Sequence, residues 1–70
     1  MCEARVYLHD TDEGNLIMRD VVRIEPEGSD TGTLVLTALF GEQKLVDGHI
    51  VSIDFLSHTV VIEPRAPKEV

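Results

Sequence analysis

Apolar and polar residues alternate with a period of two along almost the whole chain, and no stretch keeps the i, i+3, i+4, i+7 spacing of an amphipathic helix. Such a pattern builds strands that each turn one face to a core. Ala4, Val6 and Leu8 alternate with Arg5, Tyr7 and His9, and the polar run 10–15 turns the chain. Residues 16–18 continue as a short strand. Val22 and Ile24 then alternate with Arg23 and Glu25 as far as Pro26, which cannot donate to a ladder, and 27–32 reads as a loop. Leu34, Val35 and Leu36 form the next strand, and Leu39-Phe40 before Gly41-Glu42 reads as an apolar corner that plugs one end of the fold. A strand over 43–46 leads into Asp47-Gly48, a dipeptide suited to a type I′ hairpin turn. Beyond it Val51, Ile53 and Phe55 point one way and Ser52 and Asp54 the other, before Leu56-Ser57-His58 turns into a last strand over 59–62.

Short strands joined by tight turns remove their exposed edges by closing into a ring. The pattern predicts a single all-β domain over residues 1–63, a small SH3-like barrel of about six short strands. A flexible tail follows at 64–70, where Pro64, Pro67 and polar residues leave little to pack. An OB-like barrel is the alternative, but no segment offers the helix that such a fold often carries between its third and fourth strands. A domain of 70 residues buries only about 60% of its extended surface, so a dimer interface or a bound metal is expected to supplement the core.

Six basic residues against thirteen acidic ones give a net charge of -7, which repels phosphate backbones and anionic headgroups. Nucleic acid and membrane surfaces are therefore not expected partners. Phe40, Phe55 and Tyr7 are the only Phe, Tyr or Trp residues, and both phenylalanines read as core. Cys2 is the single cysteine, no leader-like segment precedes it, and no apolar run approaches the roughly 18 residues of a membrane span. The expected compartment is the reducing cytoplasm.

Enzyme signatures are missing: the chain has no GxGxxG, P-loop, HExxH or CxxC motif, and the expectation is a protein without catalytic activity. Ser52, Asp54 and His58 invite a triad reading, but Ser52 and Asp54 share the outward face of one strand, where a solvated polar face is the plainer account. Asp10, Asp12 and Gly14 resemble the start of a calcium loop, yet its fifth and twelfth positions hold Gly14 and Val21, which leaves a solvated turn. His9, His49 and His58 are scattered over different segments, with His49 in phase with Val51 as a partly buried ring at the end of the core. Cys2 has two readings. It is either a small apolar residue at the start of a strand, or a thiolate that closes small chelate rings with the neighbouring amine and first amide, an S and N set that suits square-planar Ni(II).

The opening Met1-Cys2-Glu3-Ala4, Ile17-Met18 followed by Asp20-Val21, the Leu39-Phe40-Gly41-Glu42 corner and Gly48-His49-Ile50 together resemble the CooT-like family of small nickel-binding proteins. The resemblance spans nearly all of residues 1–62. It implies a small SH3-like barrel, often a homodimer, that acts as a nickel chaperone for carbon monoxide dehydrogenase. The implied partners are the nickel ion, the apo enzyme or its maturation proteins, and a second copy. The family's metal-binding cysteine directly follows the initiator methionine, which carries over onto Cys2, with Met1 supplying nitrogen. Two other readings stand beside this one: a small RNA-binding barrel, which the charge opposes, and a purely structural interaction module.

Overall fold

The computed structural model describes residues 3–65, the side chains of Asp30 and Thr31 excepted. Five strands run in chain order around a closed ring: β1 (Ala4–Leu8), β2 (Leu16–Glu27), β3 (Asp30–Ala38), β4 (Gln43–Asp54) and β5 (Thr59–Pro64). Each strand pairs antiparallel with the next, and β1 closes the ring by pairing parallel with β5, Arg5 opposite Thr59 and Leu8 opposite Ile62. A short 3-10 turn, Glu13–Asn15, precedes β2. No helix among the described residues is long and apolar enough to cross a membrane.

The all-β small barrel matches the sequence pattern, but two pairs of expected strands are each one continuous strand. At Asp47-Gly48 the chain does not turn back. Asp47 pairs with Thr33 and Gly48 pairs with Pro64, so β4 passes from one neighbour to the other without a break. Glycine is required here for close approach and not for a turn, because a Cβ on Gly48 would meet the Glu63 carbonyl oxygen at 2.5 Å. Residues 16–18 and 22–25 likewise belong to one strand, bent at Asp20, whose φ is 56°. The loop expected at 27–32 contracts to a tight hairpin. Pro26 stays in the ladder opposite Leu34, and Glu27 pairs with Asp30. Gly28 takes a φ of 56° while Ser29 does not turn positive, the pattern of a type II′ turn.

The core gathers Val6, Val21, Leu36, Val60 and Ile62, with Ala4, Leu8, Ile17, Met18, Ile24, Leu34 and Val46 packed against it. Simple alternation put Val22 in phase with Ile24. Between Val21 opposite Ala38 and Arg23 opposite Thr37, however, β2 carries an extra residue, so Val21 faces in and Val22 faces out. Tyr7, read as outward, is buried between its ladder partners Leu16 and Val61. The apolar corner plugs nothing: Phe40 is 87% exposed. Leu39 is held by its backbone instead, its N–H donating to the Asp20 carbonyl at 2.8 Å. His49 is exposed and does not cap the core. Pro64 is the last residue of β5, the Arg65 N–H donates to the Asp47 carbonyl at 3.0 Å, and the rest of the expected tail lies outside the described residues.

Gly48 and Gly14 give a paired test of this packing. Gly48→Ala is expected to destabilise the barrel by about 1–3 kcal/mol, because backbone must move to admit the methyl. Gly14→Ala, with nothing within 4 Å of its Cβ, should be neutral or stabilising by up to about 1 kcal/mol. Urea unfolding of the two variants measures the difference, and equal midpoints would contradict the close approach at Gly48.

Candidate functional site

The parallel closure sets the start of β1 beside the turn between β4 and β5. The Arg5 N–H donates to the His58 carbonyl at 2.9 Å and the Arg5 guanidinium donates to the Ser57 carbonyl at 3.2 Å, so the N-terminal end of the barrel is held to that turn by two bonds. The turn has its own clasp. One Asp54 carboxylate oxygen accepts from the Leu56 N–H at 2.9 Å and the Ser57 N–H at 3.2 Å, and the Ser57 and Thr59 hydroxyls lie 2.9 Å apart. These amide bonds, those from Ser57 foremost, hold the Asp54 carboxyl below the usual carboxylate range. His58 closes the turn in the left-handed region, with a φ of 55°.

Two cavities open here. An apolar one of about 100 Å³ lies among Ala4, Ile53, Phe55 and Val60, and a wider polar one of about 410 Å³ among Arg5, Arg19, Asp20 and Ser57. Glu3 and His58 line both. Glu3 is the residue bonded to Cys2. Cys2 and Met1, the expected metal-binding pair, lie outside the described residues. Among the described residues no group of three or more His, Cys, Asp or Glu side chains is placed to hold a metal ion.

The structure separates the other candidates. His58 stands beside the N-terminal end of β1, whereas the His9 ring nitrogen lies 3.0 Å from the Glu63 carboxylate at the far end of that strand. His49 is Glu63's ladder partner and also sits at that far end. The Asp54 carboxylate that the triad reading needed is occupied by backbone amides of its own turn. Asp10 behaves alike: it accepts from the Asp12 N–H at 3.1 Å and the Asn15 amide at 2.7 Å, which lower its pKa, backbone bond first.

The apolar tip at Phe55 and Leu56 is the feature that alternation missed. Phe55, expected in the core, is 81% exposed, and Leu56 is 95% exposed. The signal was present in the sequence. Two large apolar neighbours inside a four-residue turn cannot both reach a core, so at least one must project.

Comparison with known proteins bears on this end of the molecule. Residues 1–63 match the family described as CO dehydrogenase accessory protein CooT, a span that includes Met1 and Cys2. The fold is similar to the crystal structure of a protein assigned as CooT from Carboxydothermus hydrogenoformans. The TM-score is 0.77 at 23% identity, over 93% of this chain and 100% of that one. A search of curated proteins gives no match.

The Asp54 clasp predicts a local response to acid. Its pKa is depressed in the folded state, so its contribution to the turn is complete above the unfolded value near 3.9 and is lost as pH falls through the lower folded value. Hydrogen exchange of the Leu56 and Ser57 amides should therefore be faster in Asp54→Asn than in the parent at pH 6, once each rate is referred to its own unstructured peptide. Equal protection would contradict the clasp.

Proposed function

Because the chain belongs to the CooT family of CO dehydrogenase accessory proteins, we propose that it binds Ni(II) as cargo and delivers it during maturation of a nickel enzyme such as carbon monoxide dehydrogenase. The observation that carries this reading is the family match through the first residue, which includes the one thiol of the chain. In this reading the Cys2 thiolate binds the ion together with N-terminal nitrogen from Met1 and the first amide. Such soft sulfur and strong-field nitrogen donors favour a square-planar ion, whereas tetrahedral Zn(II) wants more thiolate or imidazole ligands.

One chain supplies two or three such donors, so four-coordination is completed by a second copy across a two-fold axis. The barrel serves as an anchor, fixing the chain from the start of β1 onward through its ladders to β2 and β5. The net charge of -7 raises the local concentration of divalent cations, an effect that salt screens. The protein performs no catalysis of its own in this scheme, and it works in the cytoplasm, where a lone thiol stays reduced.

Nickel titration followed by absorption tests the assignment. The parent should show a thiolate-to-nickel charge-transfer band, and Cys2→Ser should lose the band and at least about 100-fold in affinity while the far-ultraviolet circular dichroism of the barrel is unchanged. The free thiol titrates near 8.5 and the α-amine near 8, so affinity should climb steeply from about pH 6 to 8 as nickel displaces fewer protons. Undiminished binding by Cys2→Ser, or affinity flat across that range, would contradict the site.

A further inference from the structure

The polar cavity of about 410 Å³ is lined by two guanidinium groups, Arg5 and Arg19, and by two carboxylates, Glu3 and Asp20. Opposite charges in one cavity are expected to pair. Among the described residues neither arginine forms an ion pair with either acid, although Arg23 pairs with Glu25 and His9 with Glu63 elsewhere on the barrel. Arg5 uses one donor on the Ser57 carbonyl, which leaves four of its five guanidinium N–H groups. The cavity therefore holds both signs of charge apart.

The backbone is bent to achieve this. Successive residues of a regular strand point to opposite faces, yet Arg19 and Asp20 both line the cavity, because Asp20 breaks the alternation of β2 with a φ of 56°. That conformation is uncommon for a residue with a Cβ, and it is fixed by the Leu39 N–H donating to the Asp20 carbonyl at 2.8 Å. His58, with a φ of 55°, lines the same cavity. Two of the three non-glycine residues with positive φ among the described residues thus meet at one place, and such strain gathers where a site is shaped.

We infer that this cleft binds a free α-amino acid with a branched aliphatic side chain. The charges select a zwitterion. A simple anion meets Glu3 and Asp20 across the cavity, and a metal cation meets two arginines, whereas an α-amino acid places its carboxylate on the guanidinium groups and its ammonium on the acids. The apolar neighbour selects the side chain. Glu3 and His58 also line the cavity of about 100 Å³ whose walls are Ala4, Ile53, Phe55 and Val60, so an aliphatic group reaches it from a backbone held in the polar half. The polar half falls within the roughly 300–1,000 Å³ of small-molecule sites, with an apolar recess and a few convergent polar groups. This inference goes beyond the nickel reading and does not depend on it.

Titration of amino acids into the metal-free full chain, followed by the amide shifts of Arg19, Asp20 and His58 in two-dimensional NMR, tests the inference. Leucine is expected to bind with a dissociation constant of about 1 mM or tighter. Alanine should bind at least about tenfold more weakly, since each methylene withdrawn from water contributes roughly fourfold. N-acetyl-leucine lacks the ammonium and imitates the last residue of a peptide, while leucinamide lacks the carboxylate and imitates the first; each should lose at least about tenfold. Two variants assign the charges. Arg19→Gln should weaken leucine at least about tenfold and leave leucinamide unchanged, and Asp20→Asn, which keeps a residue tolerant of positive φ, should weaken leucine and leave N-acetyl-leucine unchanged. Circular dichroism establishes that both variants are folded. No saturable shift up to about 10 mM leucine, equal affinity for alanine or for either capped form, or leucine binding indifferent to both variants would each overturn the inference. Because no metal is present, none of these outcomes bears on the nickel reading, which stands or falls on the thiolate-to-nickel band.

Discussion

Five strands that each pair antiparallel with the next leave the first and the last pointing the same way, so the ring can close only through a parallel ladder between β1 and β5. That ladder removes the two free edges that an open meander would present to other chains. It also decides what lies beside what. In a parallel pair the starts of both strands are neighbours, so the N-terminal end of β1 meets the turn that enters β5, and Arg5 bonds to the carbonyls of Ser57 and His58. The start of β1 and the turn that carries Phe55 and Leu56 are brought to one end of the molecule by this single closure.

The period-two pattern made the all-β class and the small barrel legible, because alternation is a direct record of strands with one buried face. The bulges were not legible. Val22 and Val51 are ordinary strand residues with nothing local to mark them as extra, and their displacement is set by how the ring closes around Leu36 and Ile62. Asp47-Gly48 misled for a related reason. The dipeptide carries turn chemistry, but in this chain the glycine is selected by the Glu63 backbone pressing against it from β5, a contact between residues fifteen apart in sequence.

The thiol beside the N-terminus was legible from position alone, as was the repulsion of polyanions by thirteen acidic residues. What lies beside the start of β1 was not, since it depends on the pairing of Arg5 with Thr59 across more than fifty residues. The aromatic residues show the limit of compositional reasoning most plainly. In a small aliphatic barrel a phenylalanine is expected inside, yet Phe40 and Phe55 both lie in turns, and the ring that is buried is Tyr7. A core built on Val6, Val21, Leu36, Val60 and Ile62 is filled by aliphatic side chains, which leaves both phenylalanines outside it.

A cargo ion shared between two chains has a stoichiometry that no one-chain site can imitate. Titrating Ni(II) into the full-length protein, well above the dissociation constants for both metal and dimer, and following the thiolate charge-transfer band, measures that ratio directly. The account predicts a sharp end point at one nickel per two chains. An end point at one nickel per chain, or a titration in which no thiolate band develops, would contradict it.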